Sequence, residues 1–157
     1  MVKNFYYKSP IGILEIELEN DIVLGLRVVD NCENLSKRTG YFAEVEKQLD
    51  EYFSFRRKEF NLNISLKGTE FQKSVWTELL KIPYGKTKSY REIAKKIGKP
   101  NAQRAVGMAC NKNPILLIIP CHRVVAKNGD LTGFASGVER KAFLLCLEAK
   151  NPCSKYV

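Results

Sequence analysis

The stretch IIPCHRVV, residues 118–125, sets a thiol, an imidazole and a guanidinium side by side after an apolar run. Cys121 and His122 could be a nucleophile and its base, or two ligands of a metal. A thiol attacks as thiolate, and an ordinary pKa of about 8.5 leaves little of it ionised at neutral pH, so a neighbouring base or cation must raise that fraction. Adjacency in sequence is not contact. Along a strand, neighbouring side chains point to opposite faces, whereas in a turn or at a helix start both can reach inward. On two residues alone the plainer reading is a buried thiol beside a structural imidazole. Zinc fits poorly, because the chain has no CxxC pair and its single histidine adjoins Cys121 instead of standing at a ligand spacing.

The remaining cysteines, Cys32, Cys110, Cys146 and Cys153, bring the total to five. An odd count at wide spacing argues against a disulfide framework and for free thiols, most of them small buried apolar groups. The opening residues MVKNFYYKSP have neither an apolar core nor a small-residue cleavage site, and no run of 18 apolar residues could span a membrane. A cytoplasmic protein without membrane association is expected.

At 157 residues, with 45% hydrophobic and 27% charged, the chain suits one globular domain or two small ones and not a disordered segment. Its charge is divided unevenly. Residues 1–66 hold 9 Lys+Arg against 11 Asp+Glu, net −2, while residues 67–157 hold 17 against 6, net +11. The second part is therefore expected to meet a polyanion, nucleic acid ahead of a generally lysine-rich surface, while charge alone does not separate DNA from RNA or acidic lipid. The change at Lys67–Thr69 sets the expected boundary: one domain over 1–66, a second over 67–157.

The elements that must position Cys121 follow from periodicity. VKNFYY, GILEIELE and IVLGLRVV read as three strands separated by turn signals, an antiparallel meander. YFAEVEKQLDEYFSF sets Phe42, Val45, Leu49 and Tyr52 on one helical face, and FNLNISL reads as a further strand. TEFQKSVWTELLKI predicts a helix capped by Thr69 with Phe71, Val75, Trp76, Leu79 and Leu80 facing inward, ended by PYGK. SYREIAKKIG starts from a Ser89 cap with Glu92 at the capping-box position, and a further helix is expected from Asn101. Two short helices around GKP, the second carrying Arg104, have the length and punctuation of a helix-turn-helix. ILLII reads as a buried strand or extended lead-in to Cys121, VVAKNGDLTG as a hairpin or wing, and GVERKAFLLCLEA as a final helix with Val138, Phe143, Leu144 and Leu147 facing the core.

Taken together, RAVGMACNKNPILLIIPCHRVV, with SYREIA upstream and LTGFASGVERKAFLLCLE downstream, closely resembles the O6-alkylguanine-DNA alkyltransferase family, whose active-site signature is PCHRV. The ordered motifs run over roughly residues 67–149; over 1–66 only length and the strand-helix pattern agree. The resemblance implies an α/β (α+β) fold, a small ribonuclease-H-like sheet-and-helix domain followed by a winged helix-turn-helix domain. It implies a monomer, needing no cofactor or metal, that acts on double-stranded DNA carrying O6-alkylguanine, with O4-alkylthymine as a second lesion. The base would be flipped out and its alkyl group moved once, irreversibly, to the protein's own cysteine.

By match to the family's motifs, Cys121 would be the nucleophile, His122 its base through a bound water, and Glu148 the carboxylate that orients the imidazole. Tyr90 would protonate or polarise the departing guanine. Arg104 would fill the gap in the base stack, where extrusion costs a few kcal/mol. Asn113 would be the hinge around the cysteine loop. The carbonyls of Cys121 and Val124 and the amide of Thr132 would read guanine, with Ser89 and Lys141 as further substrate- or DNA-binding residues. Leu131, where some relatives have tyrosine, bears on tolerance of bulky alkyl groups. Three other readings remain: an alkyltransferase-like protein that binds lesions without accepting the group, although members of that branch lack the cysteine; a helix-turn-helix regulator with a merely buried thiol; and a cysteine hydrolase, which would turn over.

Overall fold

In the computed structural model, which describes residues 1–128 and 137–149, the chain divides into two units, Met1–Leu66 and Lys67–Val157. In the first, β1 (Lys3–Ser9), β2 (Gly12–Glu19) and β3 (Ile22–Val29) form an antiparallel sheet in that order. Alternation along β2 buries Leu14, Ile16 and Leu18, and α1 (Gly40–Phe53) contributes Phe42, Val45, Leu49 and Tyr52 to this unit's core. The Phe5 and Phe42 rings stack 4.7 Å apart. Glu15 breaks the alternation by being buried too. It is tolerated because Tyr6 donates to it at 2.7 Å and Arg27 pairs with it at 2.6 Å.

FNLNISL does not form the expected strand. Gln48 of α1 clamps Asn61 by two hydrogen bonds of 2.8 and 3.0 Å, which leaves only Ile64 to bridge Val23 of β3. The α1 side chain captures the segment before a ladder can extend.

In the second unit α2 (Glu70–Leu79) opens with a complete Thr69–Gln72 capping box, and buried Trp76 donates from Nε1 to the Ala109 carbonyl at 2.9 Å. Leu80, expected on the inner face, is 41% exposed. The helix has already ended there, and Ile82, in the tight turn that follows, is the buried side chain instead.

β4 (Lys88–Ser89) leads into α3 (Tyr90–Lys96), capped by Ser89 and Glu92, and Gly98 at φ 77° turns the chain out of it. α4 spans Gln103–Asn111, two residues later than expected, since residues 99–102 close a turn of their own through Ala102 N–H to the Lys99 carbonyl. β5 (Val124–Val125) pairs in parallel with β4, Lys88 opposite Val124 and Ser89 opposite Val125. The expected hairpin beyond it runs into residues 129–133, outside the described residues.

α5 (Val138–Ala149) faces inward along a different stripe from the expected one. Val138 is 43% exposed and Phe143 half-buried, while Lys141, Ala142, Leu144, Leu147 and Glu148 are buried. Lys141 and Glu148, seven residues apart, share one helical face, so the helix turns two charges into the unit instead of its full set of apolar groups. No helix among the described residues is long and apolar enough to cross a membrane.

Candidate active site

The ILLII run is neither strand nor extended. Ile115–Ile119 fold back in a buried turn, closed by Ile118 N–H to the Leu116 carbonyl and Ile119 N–H to the Ile115 carbonyl, at 2.9 and 3.0 Å. Leu117 takes φ 72°, a left-handed conformation that costs an L-residue about 1–2 kcal/mol. Asn113 holds the turn together. Its Oδ1 accepts from Ile115 N–H at 2.9 Å, and its Nδ2 donates to the Ile119 carbonyl at 2.7 Å and to Cys121 Sγ at 3.0 Å. One amide side chain thus fixes the loop and points a donor at the sulfur.

Cys121, His122 and Arg123 form a single 3-10 turn, all three buried, so adjacent side chains can turn inward as strand geometry would forbid. Burial pushes the Cys121 thiol up to about 11, with the Asn113 hydrogen bond and the Lys141 charge drawing it partly back. At neutral pH the resting thiol is therefore protonated, and ionising it requires a base.

His122 is fully buried. Its Nε2 lies 2.7 Å from Glu148 Oε2, while its Nδ1 has no hydrogen-bond partner among the described residues. Burial lowers its affinity for a proton; the Glu148 hydrogen bond opposes that but does not overcome it. Burial would raise the Glu148 pKa, yet hydrogen bonds from His122 and Arg123 outweigh it and hold the carboxyl well below the usual range. The neutral tautomer that fits is Nε2–H donating to the carboxylate, which leaves Nδ1 an acceptor.

The sequence marks Arg123 only as a member of the signature. Its Nε and Nη2 grip both Glu148 oxygens at 2.8 and 2.9 Å, and Nη1 donates to the Ile82 carbonyl at 2.6 Å. Tyr84 places its ring 5.8 Å from the guanidinium, and Gly85 N–H reaches Glu148 Oε1 at 3.4 Å. The PYGK turn, read only as a helix breaker, thus walls the Glu148 site. Gly85 sits there at φ 78°, where a Cβ would come within 3.3 Å of the Glu148 carbonyl.

Tyr90 and Lys141 form a second cluster. Lys141, fully buried, donates from Nζ to the Tyr90 hydroxyl at 3.3 Å, and the ring lies 3.8 Å from where a Cβ on Gly107 of α4 would stand. Ser89 caps α3 and so sets the start of the helix on which Tyr90 is the first residue. Val124 is buried in the β4–β5 pair, immediately after the cysteine turn. Arg104 stands exposed on α4, three residues and hence nearly one turn before Gly107. Thr132, like Leu131 and Cys153, lies outside the described residues.

A cleft of about 500 Å³ is lined among others by Lys88, Arg91, Lys95 and Lys127, and takes in Ser89 and Arg91 on either side of Tyr90 in the chain. Its one carboxylate among the described residues, Glu92, is engaged by the Ser89 cap and by Lys88 at 3.6 Å, so the described lining is strongly basic.

Residues 2–66 match the family described as 6-O-methylguanine DNA methyltransferase, ribonuclease-like domain, and residues 70–150 match its DNA binding domain. A methylated-DNA–protein-cysteine methyltransferase of Methanosarcina barkeri is 49% identical over 150 residues, covering 92% of this chain and 95% of that protein. The Methanosarcina acetivorans protein of the same description is 45% identical over 148 residues, 90% of this chain and 95% of the relative. Among solved structures, the O6-methylguanine methyltransferase of Mycobacterium tuberculosis aligns with a TM-score of 0.86 at 41% identity, covering 97% of this chain and 95% of that one. The Mycobacterium tuberculosis OGT in complex with DNA aligns at 0.85 and 42%, over 95% and 94% of the two chains.

Proposed function

The chain belongs to the 6-O-methylguanine DNA methyltransferase family, and we propose that Cys121 is the residue on which it accepts the alkyl group. Its activity is DNA repair by transfer of a methyl group from methylated DNA to a protein cysteine. The observation that carries the assignment to Cys121 is its setting: a buried thiol with an Asn113 donor at 3.0 Å, in one turn with an imidazole held at 2.7 Å by Glu148.

In the proposed reaction O6-alkylguanine leaves the duplex stack, and Arg104 fills the space behind it. The thiol proton passes through a water to His122 Nδ1 as Sγ attacks the alkyl carbon. The S–C bond forms, the C–O6 bond breaks, and the electron pair moves onto the guanine. A proton from Tyr90 neutralises the leaving base, which departs more readily than an anion. The proton held by His122 then returns to the phenolate. Lys141, donating to the Tyr90 oxygen, steadies the phenolate that forms. The carbonyls of Cys121 and Val124, and the amide of Thr132, read the guanine edge. O4-alkylthymine is a second substrate of the same pocket.

The product is a thioether, which no group in this arrangement can cleave, so each molecule acts once. The basic cleft of Lys88, Arg91, Lys95 and Lys127 begins at the residues just before Tyr90 and is where the phosphates of the damaged strand run, releasing counterions as they bind. The protein is read as a monomer, since one chain supplies every residue named for the reaction, and as cytoplasmic, since Cys32, Cys110, Cys121 and Cys146 are free thiols.

The Cys121→Ser variant tests the assignment. It should lose transfer entirely and still bind O6-methylguanine duplex in preference to undamaged duplex, because the pocket remains. Residual transfer by the variant would move the acceptor elsewhere.

A further inference from the structure

We propose that Arg123 is a positioning residue that keeps His122 uncharged: its guanidinium neutralises Glu148, so the imidazole rests with Nε2–H on the carboxylate and Nδ1 open to the Cys121 proton. The proposal rests on the assignment of Cys121 and His122 as acceptor and base.

The geometry leads to it directly. A buried carboxylate facing a histidine alone would draw a second proton onto the ring, making an imidazolium–carboxylate pair. Such a ring has donors at both nitrogens and cannot accept a proton from sulfur. Here the carboxylate is already matched, both oxygens being held by a planar fork at 2.8 and 2.9 Å. The fork is itself fixed by Ile82 and Tyr84 and is 7% exposed, so it is a built part of the site and not a surface pair that solvent would loosen.

The other charges facing His122 act in the same direction. Burial does most to lower its proton affinity, Arg123 and Lys141 of α5 lower it further, and among the described residues Glu148 alone raises it. From the turn after α2, Tyr84 is held protonated, by burial and by Glu148, and so adds no charge. The buried face of α2, Val75, Trp76 and Leu79, adds none either. Removing the guanidinium charge while Glu148 stays must therefore shift His122 toward its charged form.

The experiment is the pH dependence of methyl transfer to Cys121 from about pH 5 to about pH 9 in the wild type, Arg123→Gln and Arg123→Lys. In the wild type the rate should hold through neutrality and fall only in acid. Arg123→Gln should move the acid limb upward by about one pH unit or more, so that on the falling part of the profile it loses about tenfold more than the wild type at the same pH, each measured against its own alkaline plateau. Arg123→Lys, which keeps the charge, should restore the wild-type limb. A role in folding alone would lower the rate evenly across pH, and that result overturns the proposal, as does an equal shift in both variants.

Should Arg123→Gln fail to fold, 15N NMR of His122 in the wild-type protein decides. The proposal requires the neutral Nε2–H tautomer at neutral pH, and an imidazolium there overturns it. Absence of methyl from Cys121 in the wild type would instead remove the underlying assignment, an outcome separate from an unmoved limb.

Discussion

At the scale of single residues, Cys121 and His122 are visible in their string, but the contacts that would make them reactive are not. His122 is useful because its partner lies 26 residues away on α5 at 2.7 Å, a closeness that no local spacing encodes. Glu148 and Tyr90 were reached through resemblance, since a helix carboxylate and a helix aromatic have ordinary readings. Arg123 was visible in the signature, yet its role depends on a contact made only after folding. Gly85 and Tyr84 left no sequence signal beyond a turn. In the proposed reaction Arg104 is the residue that separates extrusion from chemistry. It is exposed on α4, whereas Cys121, His122 and Glu148 are buried. Arg104→Ala should therefore slow repair in duplex DNA by about tenfold or more, the scale of losing a few kcal/mol of support for the extruded base. Reaction with free O6-benzylguanine should stay near the wild-type rate. Competition kinetics on the two substrates checks this, and equal losses on both would give Arg104 a different part.

At the scale of elements, strands and helices were legible where one face is simply apolar, as in β2 and α1. They were misread where a polar group overrides the pattern. Gln48 captures FNLNISL before it can pair, Asn113 folds ILLII into a turn, and α5 turns inward along Lys141 and Glu148. The α2–α4 contact is similarly specific, being fixed by Trp76 Nε1 on the Ala109 carbonyl near the end of the Arg104 helix. Gly68 lies against that tryptophan. A Cβ there would stand 2.8 Å from the Trp76 ring and 2.7 Å from Gln72 Oε1, the capping-box amide. The ring is buried at 1% exposure and cannot give way without losing Ala109. Gly68→Ala should therefore destabilise the protein by about 1–3 kcal/mol, as overpacking does. A denaturant midpoint equal to that of the wild type would contradict this packing account.

At the scale of the whole molecule, the uneven charge of the sequence, net +11 over residues 67–157, anticipated a polyanion partner. The buried ionisable groups of the same unit set its stability against pH. His122 refuses a proton that the unfolded ring accepts below about pH 6.5, and Glu148 stays ionised where an unfolded carboxyl protonates near pH 4.3. Both contributions are present above those values and are lost as pH falls. Cys121 and Cys110, raised by burial to about 11 and about 12, contribute stability that is full below the ordinary thiol value of about 8.5 and is lost as pH rises. Thermal midpoints should therefore be highest between about pH 6.5 and 8.5 and fall on both sides. Cys121→Ser should soften the alkaline fall, and a fall as steep as in the wild type would contradict this origin for it. The most direct test of the central claim is mass analysis of the protein after incubation with excess O6-methylguanine duplex. One added methyl per chain, found on the peptide containing Cys121 and unchanged with further substrate, is the predicted result. Continued turnover, or a methyl on Cys32, Cys110, Cys146 or Cys153, would contradict it.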